Sequence, residues 1–234
     1  MSISTFASGS FTYAQEAVWG KWKQWILLVV ASLISTFTLF LIPVFNGYIV
    51  SVLSGKTPAP EVENWGKLFV DGWKLNIVAL IYMIPVIIVL IIFGAATLPF
   101  VLTGAAMGDM TGVVPDQAII GAIAELMAGF MIAFVIMIII SLIAYTGVVR
   151  FAKTGSISEA FNFGGIFDHI GKIGWLDYIF AVIALWVLIA VFAFIIGILS
   201  AIPLIGWLIS LFLGPPLSIF TWRYVTMLYE SVPA

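Results

Sequence analysis

Long, almost uninterrupted apolar stretches fill most of this chain and restrict what it can fold into. Residues 77–93 and 127–144 contain no charged side chain. A helix needs about 20 consecutive apolar residues to cross the hydrocarbon core of a bilayer. The sequence therefore predicts an integral membrane protein, surrounded by membrane lipids as its first partners and located in the cell membrane.

The composition excludes several classes of function. Only 9% of the residues are charged, against about 25% in a typical soluble domain. Nine Lys and Arg face eleven Asp and Glu, so no basic tract could neutralise the phosphates of a nucleic acid. The absence of cysteine excludes disulfides, thiolate metal sites and cysteine nucleophiles. With one histidine, no imidazole metal cluster can form, and we predict no metal and no cofactor.

The apolar stretches predict an all-α, multi-pass bundle of about five spans with interfacial amphipathic helices. An N-terminal interfacial segment at 1–24 precedes a single membrane domain at 25–234. Prolines in or beside the apolar runs predict kinked helices, and Gly214-Pro215-Pro216 predicts a break or sharp bend in the last one. The predicted spans are 25–45, 73–93 with an extension to 102, 118–149, 175–199 and 207–229.

The distribution of cations predicts the orientation. The connections 54–74 and 150–174 each carry three Lys or Arg, whereas 103–117 carries two aspartates and no cation. Because cytoplasmic loops are enriched in Lys and Arg, we expect the first two inside and the third outside. Five spans then leave the N-terminus outside, although Lys21 and Lys23 favour the opposite. A first segment that enters and returns, hinged near Pro43 and Asn46, would restore a cytoplasmic N-terminus.

The two cationic connections resemble each other. Gly47 to Gly55 aligns with Gly147 to Gly155, and Asn64-Trp65-Gly66 aligns with Asn162-Phe163-Gly164. The alignment predicts a parallel repeat with units 25–102 and 118–206. The alternative is that both segments have similar residues because both lie at a membrane surface. The mixed aromatic and charged residues at 65–71 and 161–173 predict helices lying flat in the headgroup layer.

Several short blocks of glycine, aromatic and charged residues are distributed over most of the chain. They are Gly47-Tyr48, Gly55, Pro60-Glu61, the block from Trp65 to Gly72, Arg150-Phe151-Ala152, Thr154-Gly155, the block from Trp175 to Tyr178, and the block from Ile202 to Trp207. In these residues the chain resembles an uncharacterised family of polytopic prokaryotic membrane proteins, largely archaeal, known as a domain of unknown function. The resemblance implies a compact helical membrane fold and brings no catalytic residue. A weaker similarity of layout extends to the membrane domains of some glycerophosphodiester phosphodiesterases.

One carboxylate lies about two turns inside a predicted span, away from its ends. Glu125 lies four residues from both Gly121 and Gly129, so the three share one helix face where small residues allow another helix to approach closely. A charge inside a bilayer is costly. Glu125 is therefore a candidate proton or cation site. The alternatives are a neutral carboxyl group that is hydrogen-bonded at a helix contact, or a carboxyl group close enough to the membrane interface to stay hydrated.

A second polar pair is predicted near the cytoplasmic face. Asp177 opens the fourth span and Arg223 lies near the end of the fifth, so an ion pair between them is geometrically open. Asp109 and Asp116 in the external connection could hold a hard cation through their oxygens, but the segment lacks the ligand density of a calcium loop.

No catalytic constellation is present in the sequence, because the serines lack a usable histidine base. We therefore expect a protein that is not an enzyme. The first hypothesis is a homo-oligomeric assembly with a structural or membrane-organising role, and the second is a channel or transporter subunit for a small solute or ion. A lipid-modifying membrane enzyme is a third, weaker hypothesis.

Overall fold

The computed structural model describes residues 2–111, 116–203 and 205–233. Over this part of the chain it contains helices and no strand, which confirms the all-α class. The helices are α1 (Ile3–Val18), α2 (Trp22–Phe37), α3 (Val44–Leu53), α4 (Trp65–Thr111), α5 (Asp116–Thr154), a 3₁₀ turn (Ile157–Phe161), α6 (Phe163–Ile173), α7 (Trp175–Ser200) and α8 (Gly206–Tyr229).

Among the described residues, three helices are long and apolar enough to cross a membrane. They cover Trp65–Ala106, Ile119–Thr154 and Trp175–Ser200, with mean hydropathy values of 3.0, 2.9 and 3.2. These stretches correspond to the second, third and fourth predicted spans and establish the chain as a helical membrane protein. The helix α8 corresponds to the fifth predicted span and has 24 residues.

The chain forms two compact units. One, here called the terminal unit, comprises Met1–Val78 and Leu142–Ala234. The other, the hairpin unit, comprises Ala79–Ser141, and contains most of α4 and the first part of α5.

The first predicted span is wrong, because the stretch forms two helices. The helices α2 and α3 have 16 and 10 residues, and both fall short of the length that a bilayer crossing requires. The turn between them includes Leu39 and Phe40 at φ 51° and 62°. The hydroxyl of Ser35 donates to the carbonyl of Ile42 and accepts from the N–H of Phe45, both at 3.1 Å. A side chain therefore replaces the backbone bonds that an unbroken helix would have made.

The chain turns back at this point, as the alternative interpretation of the first segment required. Near the start of α2, the amide of Gln24 donates to the carbonyl of Pro60 at 3.1 Å and accepts from the N–H of Val62 at 2.9 Å. The start of α2 therefore lies beside the connection that follows α3.

Close backbone contact joins α3 to the first turns of α4. A Cβ at Gly47 would lie 1.8 Å from the carbonyl oxygen of Leu68, and one at Gly72 would lie 1.9 Å from that of Pro43. Asn46 also donates to Asn76 at 2.6 Å. The predicted interfacial helix at 65–71 is consequently not separate, since this contact holds it in line with the rest of α4.

The paired prolines do not break α8, which contradicts the predicted break. The sharp bend stays a prediction. Pro216 has no N–H, so the carbonyl of Phe212 loses its helical donor. The indole N–H of Trp25 donates to that carbonyl at 2.8 Å. A neighbouring helix thus satisfies the freed acceptor, and the helix continues through the prolines.

The two cationic connections share local geometry. Gly55 and Gly155, which follow α3 and α5, have φ values of 84° and 74°. Asn64 and Asn162 each accept from the backbone N–H three residues later, at 3.2 and 3.1 Å. The copies differ afterwards, because α6 ends at Gly174 with φ 97° whereas α4 runs on. The duplication itself stays a prediction.

Candidate functional site

The small residues predicted to receive another helix pack inside the hairpin unit. A Cβ at Gly121 would lie 2.6 Å from the ring of Phe100, and one at Gly129 would lie 2.5 Å from the Cβ of Phe93. Both phenylalanines belong to α4. The two glycines therefore accommodate aromatic side chains of the same chain, and a larger residue at either position would displace a ring.

Glu125 lies between these two contacts along α5 and is half-buried. Within the described part of the chain it makes no ion pair, and no hydrogen bond to its carboxylate is found. The structure thus places Glu125 on the helix that carries Gly121 and Gly129 but gives its carboxyl group no partner among the described residues.

The predicted pair of Asp177 and Arg223 does not form. Asp177 is exposed in the first turn of α7, where the helix dipole favours a negative charge. The face of α8 that meets α7 is marked by Tyr224, whose hydroxyl donates to the carbonyl of Ala181 at 3.0 Å. Arg223 is one residue earlier, about 100° around the helix, and its guanidinium lies 4.7 Å from the ring centroid of Tyr13 in α1.

The carboxylate beside Arg223 is that of Glu230, at the end of α8. Its Oε2 lies 3.8 Å from Nη1 of Arg223, and its Oε1 accepts from Nζ of Lys153 at 2.7 Å. Gly55 packs directly on this group, since a Cβ there would lie 2.3 Å from Oε1. The cluster ties together α1, α5, α8 and the connection after α3. Sequence reasoning missed Lys153, which is 77 residues from its partner.

A second ion pair organises the connection between α5 and α7. Arg150 Nη2 donates to Glu159 Oε2, and the amide of Asn162 lies 3.4 Å from both oxygens of that carboxylate. The hydrogen bond from Arg150 lowers the pKa of Glu159 below its ordinary value, with a further contribution from Asn162. Asn162 also caps α6, so this pair fixes where that helix begins.

His169, the only histidine, is buried, and its contacts hold two helices together. Its Nε2 lies 2.9 Å from the carbonyl oxygen of Tyr229, which can only accept, so we assign the proton to Nε2. The ring stacks on that of Tyr229 with centroids 3.8 Å apart. Burial lowers the pKa of His169 and outweighs the backbone hydrogen bond, which raises it. A side chain held neutral in this way braces α6 against the end of α8.

The described residues contain no group of three or more His, Cys, Asp or Glu side chains that could hold a metal ion. Asp116 is exposed at the start of α5. The side chain of its predicted companion, Asp109, lies outside the described residues. The ion pairs and the histidine described above hold helices together.

The fold and these polar contacts define a helical membrane protein with a densely bonded terminal unit and an apolar hairpin unit. The family described as "Protein of unknown function (DUF4013)" matches residues 30–201, and the chain belongs to that family. No curated protein and no solved structure matches the chain. The archaeal setting and the layout similarity to glycerophosphodiester phosphodiesterase domains have no support in these comparisons.

Proposed function

We propose that this protein is a non-enzymatic, multi-pass protein of the cell membrane that assembles as a homo-oligomer and has a structural or membrane-organising role. The observation that carries the proposal is Glu125, a half-buried carboxyl group in an apolar helix without a partner in the described part of its own chain. Polar side chains within membranes associate with other polar groups or with backbone. A second copy would supply such a group.

The surface of the hairpin unit supports this proposal. Only 11% of the residues in the apolar window of α5 are buried within the chain. On α4, nothing lies within 4 Å of where a Cβ at Gly94 would be, and its neighbours Ala95 and Ala96 are exposed. Small exposed residues allow close approach of a helix from another subunit. The membrane-organising role is proposed as the consequence of such an assembly.

Native mass spectrometry of the full chain, released from lipid nanodiscs, tests the assembly. We expect an oligomer for the wild type, a shift toward monomer for Glu125→Ala, and an unchanged oligomer for Met131→Ala. Met131 is the matched control because it is 68% exposed on the same helix. A monomeric wild type, or an oligomer that Glu125→Ala leaves intact, would contradict the proposal.

For the arrangement in the membrane, we infer that α2 and α3 enter and return on the cytoplasmic side. This would put Lys21 and Lys23 on the same side as the two cationic connections, in agreement with the distribution of cations. Because the chain has no cysteine, single cysteines at Lys23 and Lys56 can be labelled selectively with a membrane-impermeant maleimide. Labelling of the two positions from opposite sides would refute the inference.

A channel or transporter subunit is the second candidate. It is favoured by the interrupted helix at 38–43, where Asn76 donates to the backbone carbonyl of Phe40 at 3.0 Å. Interrupted helices with accessible carbonyls form solute sites in many transporters. Flux of K⁺ or glycerol into proteoliposomes that is lost in Asn76→Ala and kept in Met131→Ala would favour this candidate, whereas absence of flux would remove it.

A further inference from the structure

A cationic cavity of about 190 Å³ opens between α3, the start of α4 and the end of α5, all within the terminal unit. Its polar lining consists of three lysines, one aspartate and two serines. They are Lys56, Lys67, Lys74, Asp71, Ser51 and Ser54. The volume is several times the ~30 Å³ share of one water in the liquid, so a small polyatomic ion fits.

The cavity is positively charged, whereas the whole chain has a negative net charge. Three ammonium groups and one carboxylate give a local charge of +2, whereas the chain carries −2. Lys67, Asp71 and Lys74 follow at spacings of four and three residues on one face of α4, and Asp71 pairs with both lysines. Lys56 lies across the cavity, and no carboxylate of the described residues is within ion-pair distance of it.

The donor set points to the kind of anion. The cavity offers lysine ammonium groups without an arginine fork, which suits a compact, multiply charged group more than a planar carboxylate. The hydroxyl of Ser51 makes no hydrogen bond within the described part of the chain, so it is free to donate. Three ammonium groups and a hydroxyl match the several acceptor oxygens of a phosphate group.

Tight packing holds the walls of the cavity in place. The contact of Gly47 with Leu68 fixes the lysine-bearing face of α4 against α3. Phe151, which is 1% exposed, closes the side formed by α5. The helix α4 begins at Trp65, two residues before Lys67. Tryptophan prefers the headgroup layer of a membrane, where basic pockets bind anionic lipid headgroups.

We propose that this cavity binds a phosphate group, which comes either from the headgroup of an anionic phospholipid or from free phosphate in solution. The site does not depend on the proposed oligomeric assembly, because every residue that forms it belongs to one chain. No reaction is implied, since the cavity contains no histidine base beside its serines.

The test uses the full chain in a neutral detergent, with binding measured as a ligand-dependent rise in Tm. The probes are dioctanoyl phosphatidylglycerol and inorganic phosphate, with dioctanoyl phosphatidylcholine and sodium chloride at equal ionic strength as controls. A rise with phosphatidylglycerol alone supports the site and assigns the headgroup as the source. A rise with inorganic phosphate supports the site and assigns free phosphate. No rise with either probe overturns the proposal.

Variants separate the cavity from general charge attraction. Lys56→Gln and Lys74→Gln should each weaken binding of the effective probe about tenfold, as expected for one charge-assisted contact. Lys56→Arg should bind more tightly than Lys56→Gln. Lys23→Gln, an exposed lysine outside the cavity, should bind as the wild type does. Equal weakening in Lys23→Gln and Lys56→Gln would refute the site.

Discussion

The contact between α3 and α4 predicts that Gly72→Ala destabilises the fold strongly. The added Cβ would lie 1.9 Å from the carbonyl oxygen of Pro43 and 3.0 Å from the backbone nitrogen of Gly47. That nitrogen itself donates to the same carbonyl at 3.0 Å, which starts α3. The methyl group would therefore meet backbone atoms, which cannot rotate away as a flexible side chain does.

The magnitude follows from the distances. Ordinary contact begins at 3.4 Å, so from 1.9 Å the two backbones must separate by about 1.5 Å. Overpacking of this kind costs about 1–3 kcal/mol. The separation also breaks the hydrogen bond from Asn46 to Asn76, which contributes about 1 kcal/mol more. We expect a total loss of about 2–4 kcal/mol, or a fall in Tm of roughly 5–15 °C for a chain of this size.

Thermal unfolding in detergent, followed by tryptophan fluorescence, measures this loss. The matched control is Gly66→Ala, six residues earlier in α4, where the nearest atom to an added Cβ is 3.9 Å away. That variant should keep or raise Tm, because alanine has the higher helix propensity, by about 1 kcal/mol. Equal Tm values for Gly72→Ala and Gly66→Ala would refute the tight contact and the cavity wall that depends on it.

Two further predictions concern the polar contacts of the terminal unit. Glu230→Gln should lower the free energy of unfolding by about 1–2 kcal/mol in thermal unfolding, because Lys153 and the mostly buried Arg223 lose their shared carboxylate. The control variant Glu63→Gln, at an exposed position, should change stability little. Equal effects of the two substitutions would contradict the role of the cluster. Burial lowers the pKa of His169 in the fold, so the unfolded chain takes up a proton first as the pH falls below 6.5, and stability should decline below that pH. His169→Gln should flatten this decline, and an unchanged pH profile would count against it.

Hydropathy predicted the parts of the fold that depend on local composition. The helices α5 and α7 begin and end within a few residues of the third and fourth predicted spans, because both stretches are apolar over nearly their whole length. The prediction of the first span was wrong because a hydropathy average over many residues treats Ser35 and Thr38 as only mildly polar. Their hydroxyls replace backbone hydrogen bonds and so allow the chain to turn.

The polar contacts could not be predicted from the spacing of residues along the sequence. Arg223 lies at the predicted end of α8, but its side chain points toward α1 and away from Asp177. Glu230 takes its partner Lys153 from a distant part of the sequence. The cationic cavity brings Lys56 together with two lysines of α4 only after α3 has turned back. Such juxtapositions arise from packing, which a single sequence does not reveal.

The packing of α1 on α8 has a consequence for biosynthesis. Phe6 meets Tyr224 with ring centroids 5.6 Å apart, and Ser10 contacts Met227, 217 residues later. Because α1 is synthesised before α8, it must wait for α8, with its apolar face held by lipid or a chaperone in the meantime. Closure of so long a loop comes late, so a nascent chain halted before α8 would leave α1 undocked and open to proteases.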